Sequence, residues 1–387
     1  MIKQAEIYIH IPFCVKKCAY CDFLSAPATE EVKKQYVQRL IQEISTSKWA
    51  RMGISVPTVF FGGGTPSILP GEEVERIMDV IRACFIVEKD AEITIECNPG
   101  TLTREQLVAY KRAGINRLSI GLQSANNEEL KLLGRIHTYE TFLESYHMAR
   151  EMGFSNINVD LMSALPGQTF ETYADTLKEI CDLGPEHISA YSLIIEEGTP
   201  FYQRYEEDNR LREKGEVPKL LPSEELERKM YEHTKHYLES KGYYRYEISN
   251  YSKKGYECKH NMGYWMRVPY IGFGLGAAGL MEETRYQNED DLETYLQGEF
   301  QGEAQALSKK AQMEEFMFLG LRLIKGVPVR EFEEAFGINL QEVYGDVIGD
   351  LITKQLLEYD ERKEYLSLTD YGRDVSNYVL AQFLLEE

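Results

Sequence analysis

Residues 6–21 read Glu6-Ile7-Tyr8-Ile9-His10-Ile11-Pro12-Phe13-Cys14-Val15-Lys16-Lys17-Cys18-Ala19-Tyr20-Cys21. Glu6–His10 is a short β-branched, apolar run of strand type, and Pro12 breaks it. A loop carrying Cys14, Cys18 and Cys21 follows at once. Outward from here the same alternation recurs. Further strand candidates are Thr58–Phe61, Glu92–Glu96, Arg117–Ile120, Asn156–Asp160 and His187–Tyr191. Between them lie amphipathic stretches at Glu31–Ile44, Glu72–Cys84, Arg104–Arg112, Glu140–Met152 and Phe170–Leu183. Strand-then-helix units in series require a parallel sheet, because parallel neighbours need a helical crossover. The fold class is therefore α/β. Gly53, Gly114, Gly153 and Gly184 are expected as helix C-caps. Periodicity leaves open whether the sheet closes, stays partly open or winds doubly.

After residue 197 the pattern changes. Tyr202–Lys219 is charged and interrupted by Gly215 and Pro218, and reads as an exposed connection or a frayed helix. Glu224–Ser240 reads as a helix, and Tyr243–Ser252 alternates like one strand. Met313–Leu323, Val329–Phe336 and Leu340–Lys354 are helical, and Leu357–Glu358 with Tyr365–Leu368 form a ribbon. Together these resemble a winged-helix type appendage.

The chain has 387 residues, enough for two or three domains or for one barrel-sized domain and an appendage. Lys and Arg number 43 against 63 Asp and Glu, a net charge of −20 that disfavours general binding to phosphate backbones. No run reaches the ~18 apolar residues of a membrane span. The start, Met-Ile-Lys-Gln-Ala-Glu, lacks the features of a secretory leader, so a cytoplasmic protein is expected. Cys84, Cys97, Cys181 and Cys258 stand apart from the cluster and read as small buried apolar residues.

Three thiolates within eight residues can converge on a soft metal centre. Structural zinc favours two pairs of ligands, and no second pair stands nearby; Cys258-Lys259-His260 lacks partners for a zinc site. Three cysteines on one loop suit a four-iron cluster whose fourth iron is open to an external amino-carboxylate.

The C-x3-C-x2-C spacing, with Tyr20 before the last cysteine, resembles the radical S-adenosylmethionine (SAM) superfamily. The flanking Tyr8-Ile9-His10-Ile11-Pro12-Phe13 is similar to the oxygen-independent coproporphyrinogen III oxidase-like family, which holds both a porphyrinogen dehydrogenase and a HemW-type heme chaperone branch. The resemblance implies a partial (β/α)6 barrel with a C-terminal, mainly α, winged-helix-like appendage. It divides the chain into a barrel core at 1–200, a connecting and barrel-closing segment at 201–304, and a C-terminal domain at 305–387. It also implies a [4Fe-4S] cluster on Cys14, Cys18 and Cys21, with SAM on the open iron.

Other motifs carry the resemblance further. Gly62-Gly63-Gly64-Thr65-Pro66 follows a strand; glycines there free backbone N–H groups for a ligand, although a ligand-free turn fits the same residues. The resemblance makes Gly63, Gly64 and Thr65 a receptor for the amino and carboxylate groups of SAM. Glu96 and Asp160 end strands three and five, where a βα barrel places its active face. Either acid could instead cap the next helix. The resemblance casts Asp160 as the ribose acid, Glu96 as an acidic SAM contact, and Gln123, Arg135, Tyr8 and Tyr20 as further contacts. Gly274–Gly279 fits G-x-G-x-x-G literally, but the polar residues after it exclude a dinucleotide helix; a loop closing over the site fits better.

Two departures and one match point to the branch. The dehydrogenase carries a further cysteine two residues after the third and a long extension before the loop; here Phe23 stands at that position and Cys14 is near the start. His260-Asn261-Met262-Gly263-Tyr264-Trp265 matches H-N-x-x-Y-W of the heme chaperone branch, where the histidine is tied to heme. The alternative for His260 is a hydrogen-bonded structural histidine among aromatics. The implied ligands are thus the cluster, SAM and heme, and the implied partner is a heme-acceptor protein, membrane-associated or not. A homodimer stays open, as do the dehydrogenase activity and, less favoured by the charge, a radical SAM enzyme acting on tRNA.

Overall fold

The computed structural model describes residues 3–385; Met1 and Ile2 of the run read for a leader lie outside them. Six parallel strands, β1 (Glu6–Ile11), β2 (Ser55–Gly63), β3 (Ile86–Cys97), β4 (Arg117–Gln123), β5 (Ile157–Ser163) and β6 (His187–Ser192), stand side by side in chain order. The helices between them are α1 (Glu30–Thr46), α2 (Gly71–Cys84), α3 (Arg104–Ala113), α4 (Asn127–Leu132), α5 (Tyr139–Glu151) and α6 (Phe170–Leu183). Thr29, Thr103, Thr138 and Thr169 each accept an N-cap hydrogen bond, so most crossovers start their helix at a fixed residue. Gly114 and Gly184 are left-handed C-caps as expected. Gly53 is not: α1 ends at Thr46 with Ser47 as its C-cap, and Gly53 (φ +76°) serves the turn into β2.

Beyond β6 come α7 (Pro200–Glu213), α8 (Glu224–Ser240), β7 (Tyr244–Arg245), β8 (Asn250–Ser252), α9 (Lys259–Trp265), β9 (Tyr270–Phe273), β10 (Ala278–Met281), β11 (Thr284–Asn288), α10 (Leu292–Gln297) and β12 (Gln301–Ala306). The segment expected as an exposed connection or a frayed helix is a helix up to Glu213 and a loop beyond it. Buried Asp208 accepts backbone N–H groups of Lys219, Leu220 and Leu221 at 3.1, 2.5 and 2.8 Å, folding the following loop back onto α7. The single strand expected at Tyr243–Ser252 is a hairpin instead, with Arg245 opposite Tyr251.

All these strands join one sheet, ordered β12-β11-β10-β9-β1-β2-β3-β4-β5-β6-β8-β7. β9 runs parallel to β1 and pairs Ile7 with Ile271. Antiparallel strands then extend both flanks, and the ends at β12 and β7 do not pair, so the barrel stays open. The Gly274–Ala277 stretch is the turn of the β9–β10 hairpin. A Cβ on Gly276 would meet Leu24 Cδ2 at 2.5 Å, so this turn lies against the cysteine loop.

Side-chain alternation separates the two faces of the parallel strands. Ile7, Ile9 and Ile11 point outward and bury against Tyr36, Val37, Leu40 and Ile44 of α1; each such side chain contributes about 1.5–3 kcal/mol. The inward residues are polar: Glu6 and His10 on β1, Thr58 on β2, Glu92 on β3, Arg117 and Ser119 on β4, Asn158 on β5 and His187 on β6 are all buried. A barrel meant only as scaffold would fill this space with branched apolar side chains.

The C-terminal part comprises α11 (Lys309–Gly320), β13 (Val327–Pro328), α12 (Val329–Phe336), α13 (Leu340–Thr353), β14 (Leu357–Tyr359), β15 (Tyr365–Leu368), α14 (Asp370–Asp374) and α15 (Ser376–Ala381). It has its own apolar core, including Phe332, Tyr344, Leu351, Leu366 and Phe383. Its ribbon gains a third strand, because β13 pairs with β15.

Candidate cluster and nucleoside site

β1 ends where Pro12 removes a backbone donor, and Phe13 anchors the departing chain edge-on to Tyr36, ring centroids 5.1 Å apart. The loop returns through Cys14 N to Ala26 O (3.2 Å) and Ala26 N to Pro12 O (2.9 Å). Within it, Lys17 Nζ donates to Phe23 O (2.9 Å), His10 Nε2 lies 3.0 Å from Leu24 O, and Ala19 N donates to Leu133 O (3.0 Å). The loop is thereby pinned to β1 and to the turn after α4. Cys14, Cys18 and Cys21 are free and partly accessible. Burial pushes the Cys21 thiol up.

The glycines after β2 are required by close approach. A Cβ on Gly63 would stand 2.5 Å from His10 Cε1, and one on Gly64 would stand 2.7 Å from Phe13 O and 3.0 Å from Cys14 Sγ. Thr65 Oγ1 donates to Cys14 Sγ (3.4 Å) and accepts from Asn98 Nδ2 (2.9 Å). Arg135 Nη2 donates to Asn98 Oδ1 (2.8 Å) and to Gly121 O, while Arg135 Nη1 reaches Cys18 Sγ (3.7 Å). A hydrogen-bonded chain Cys14–Thr65–Asn98–Arg135–Cys18 thus ties two of the thiols to three strand ends. Asn98 is the functional residue that sequence reasoning passed over, although its place in Glu96-Cys97-Asn98-Pro99, at a strand end before proline, was its signal.

Glu96 and Asp160 face the interior beside this chain. Glu96 Oε2 accepts Gly63 N–H at 3.1 Å; burial, and then the charge of Asp160, push its pKa up to about 8. Burial also raises Asp160, whose carboxylate accepts from Asn158 Nδ2 (2.7 Å). Two half-buried acids held against ionisation gain most from a cationic or hydroxyl-bearing ligand, because either stabilises the carboxylate. Gln123 takes φ +78° at a β4 bulge, and its Oε1 accepts from Tyr191 OH at 3.1 Å. Tyr191, at the end of β6, is a second residue that sequence reasoning did not single out. Tyr20 packs on Phe201 at 6.4 Å.

Two expected residues lie deeper. Tyr8 is in mid-barrel, its OH 3.1 Å from His10 Nδ1 and its ring 6.5 Å from that of His260. His260 sits at the opposite end, where α9 plugs the N-terminal mouth of the barrel. It is 1% exposed. Its Nδ1 is 2.7 Å from Thr58 Oγ1, its Nε2 is 3.0 Å from Tyr264 OH, and its ring stacks 5.1 Å from Phe60. Its backbone N–H and that of Lys259 donate to Glu92. Burial, and then Arg117, hold the imidazole neutral with a pKa near 3. Both ring nitrogens thus lie within hydrogen-bond reach of protein hydroxyls. Burial likewise pushes Glu6, 3.7 Å from His260 Nδ1, up to about 9.

Among the described residues no three His, Cys, Asp or Glu side chains converge as a single ion requires. The three thiols are strung along one pinned loop, and Gly64 is cut back to backbone beside Cys14. Arg135 Nε is buried without a partner next to Cys18. This arrangement fits a multi-iron cluster with several separated ligand points, and the glycine cradle leaves room for a small polar ligand beside it.

Sheet order, cysteine loop and glycine cradle define a radical SAM-type partial barrel carrying a C-terminal helical domain. Residues 8–180 match the family model of the radical SAM superfamily, and residues 307–375 match that of the HemN C-terminal domain. The fold is similar, at TM-score 0.84 and 24% identity, to the solved coproporphyrinogen III oxidase (HemN) from Escherichia coli, covering 99% of this chain and 90% of that one. Among curated relatives, the chain is 37% identical to heme chaperone HemW of Lactococcus lactis, covering 100% of this chain and 98% of that protein. It is 37% identical to heme chaperone HemW of Bacillus subtilis (98% and 99% covered) and 35% identical to that of Escherichia coli K12 (98% and 98%). The chain belongs to the HemW heme chaperone family. No helix among the described residues is long and apolar enough to cross a membrane.

Proposed function

We propose that this chain is a cytoplasmic heme chaperone that binds heme, a [4Fe-4S] cluster and SAM, and delivers heme to an acceptor protein. The observation that carries the reading is full-length similarity to relatives named heme chaperone, at 35–37% identity with essentially complete coverage of both chains. Cys14, Cys18 and Cys21 would hold the cluster, which supplies an open iron and an electron. Gly63, Gly64 and Thr65 would receive the amino and carboxylate groups of SAM, with Glu96 beside them. Asp160 would bind the ribose, and Gln123, Arg135, Tyr20 and Tyr8 would line the remaining walls. Phe23, 61% exposed on the loop, takes the position where the dehydrogenase branch has its further cysteine. The division at residues 200 and 304 separates the cluster-binding part from the α9 segment and from the C-terminal domain. The acidic surface, net −20, favours an acceptor protein over nucleic acid.

A direct role for His260 at the heme iron would require its ring to leave Thr58 and Tyr264. The deciding experiment is anaerobic incubation of the cluster-reconstituted chain with SAM, a reductant and coproporphyrinogen III, with products read by mass. Intact substrate, together with hemin uptake and transfer to an apo-acceptor, is the expected result. Cys14-dependent formation of protoporphyrinogen would replace the chaperone with the dehydrogenase.

A further inference from the structure

One buried ionisable side chain stands between the two ends of the barrel and belongs to neither. His187 opens β6, is 1% exposed, and faces Asn158 across the ladder to β5, the strand that carries Asp160. Burial, and then the charge of Arg117, hold its pKa well below the usual histidine value, so the ring is neutral and carries one proton. The neighbours fix where that proton sits. Asn158 commits both amide hydrogens, with Nδ2 donating to Asp160 Oδ1 (2.7 Å) and to Ser119 Oγ (2.8 Å). Its Oδ1 therefore accepts, from His187 Nδ1 (2.6 Å) and from Ser189 Oγ (3.2 Å). A proton on Nδ1 leaves Nε2 as an acceptor, and Tyr246 OH lies 2.8 Å from it. The Tyr246 oxygen in turn accepts the backbone N–H of Cys258, the N-cap of α9, at 3.2 Å. Every donor in this row points the same way, from α9 through Tyr246, His187 and Asn158 to the carboxylate.

We infer that His187 is a positioning residue for nucleoside binding: its Nδ1–H fixes the Asn158 amide, and that amide orients Asp160 toward the ribose hydroxyls of SAM. The inference deepens the SAM-binding part of the proposed function and rests on it. His187 acts one strand away from Asp160 and only through Asn158. Without a donor at Nδ1, the Asn158 amide is free to flip and present its oxygen to Asp160, which replaces a hydrogen bond to a carboxylate with repulsion between two acceptors. The second carboxylate oxygen, Oδ2, is held more loosely, 3.5 Å from Ser119 Oγ, and is the one left for an incoming hydroxyl. A site whose contact residue is locked in this way loses less freedom when the ligand arrives.

The test uses two variants that divide the ring. The amide of Asn reaches as far as Nδ1 of histidine, and that of Gln as far as Nε2, so His187→Asn keeps the bond to Asn158 and loses Tyr246, whereas His187→Gln does the reverse. Anaerobic equilibrium dialysis of the cluster-reconstituted full chain against SAM reads the affinity, and iron content and far-UV circular dichroism check that each variant folds and holds its cluster. His187→Asn is expected to bind SAM nearly as wild type does, and His187→Gln to bind it about tenfold more weakly or worse. Equal affinity in the two variants, or the reverse order, would overturn the assignment while leaving SAM binding intact. A wild-type chain that does not bind SAM would overturn both. A second measurement needs no Gln variant: 15N NMR of the histidine-labelled wild-type apo chain, with the His187 signals identified by their loss in His187→Asn. A neutral ring protonated on Nδ1 is expected at neutral pH, and a ring protonated on Nε2, or a charged ring, would overturn the inference.

Discussion

The two mouths of this barrel are built from the same strands and treated in opposite ways. At the C-terminal ends the chain spends glycine, leaves three thiols partly accessible, and holds Glu96 and Asp160 in an interior that a ligand would complete. At the N-terminal ends α9 closes the mouth, and His260, Thr58, Tyr264 and Glu92 satisfy one another. The partly accessible thiols collect at the first mouth, whereas at the second the polar side chains mostly partner one another.

The largest effect expected follows from the thiols. Replacing any of Cys14, Cys18 or Cys21 with Ala should abolish the brown absorbance and bound iron of the reconstituted protein, with little change in thermal unfolding of the apo chain. Retained cluster in any of the three would remove that residue from the ligand set.

The two crowded glycines separate the mouths directly. Gly263→Ala drives a Cβ into the Glu6 carboxylate, 2.0 Å from Oε1, and should cost about 1–3 kcal/mol of global stability without lowering iron content per folded chain. Gly64→Ala presses on Phe13 O and Cys14 Sγ and should instead lower iron content more than stability. Denaturant unfolding and iron assay on both variants would show whether the division holds; equal losses in both assays would erase it.

A smaller effect is pH-dependent. Glu6 has its folded pKa raised from 4.5 to about 9, so between those values the folded chain binds a proton that the unfolded chain has lost, and stability falls as pH rises. Glu6→Gln removes this linkage. Its stability relative to wild type should be flat below pH 4.5 and then improve by at most about 1.4 kcal/mol per pH unit toward pH 9. A pH-independent difference in denaturant midpoint would mean that Glu6 is ionised in the plug. The smallest effect lies outside both mouths: Gly349→Ala, in mid-α13 with nothing near its Cβ, should stabilise the C-terminal domain by up to about 1 kcal/mol, as hydrogen exchange in α13 can report.

Local signals were strong where one residue type has one use. Strand–helix alternation, the spacing of Cys14, Cys18 and Cys21, the glycine run and the acid Glu96 near the end of β3 all depend on short-range periodicity or on chemistry that few residues supply, whereas Asp160, expected to end its strand, lies in the middle of β5, which runs on to Ser163. The first four were legible. The pattern of Tyr202–Lys219 allows either an exposed connection or a frayed helix; the loop after α7 is fixed by Asp208 gathering the N–H groups of Lys219, Leu220 and Leu221, which periodicity does not display.

The sequence by itself determined the βα repeat, the cysteine loop and the family, since each rests on contiguous residues. Tertiary structure alone decided that β9 returns parallel beside β1, that Asn98 links Thr65 to Arg135, and that α9 turns His260 inward and its methionines outward. Those arrangements join residues tens to hundreds of positions apart. They are set by which polar groups must be satisfied when the interior loses water, and a linear pattern does not record that requirement.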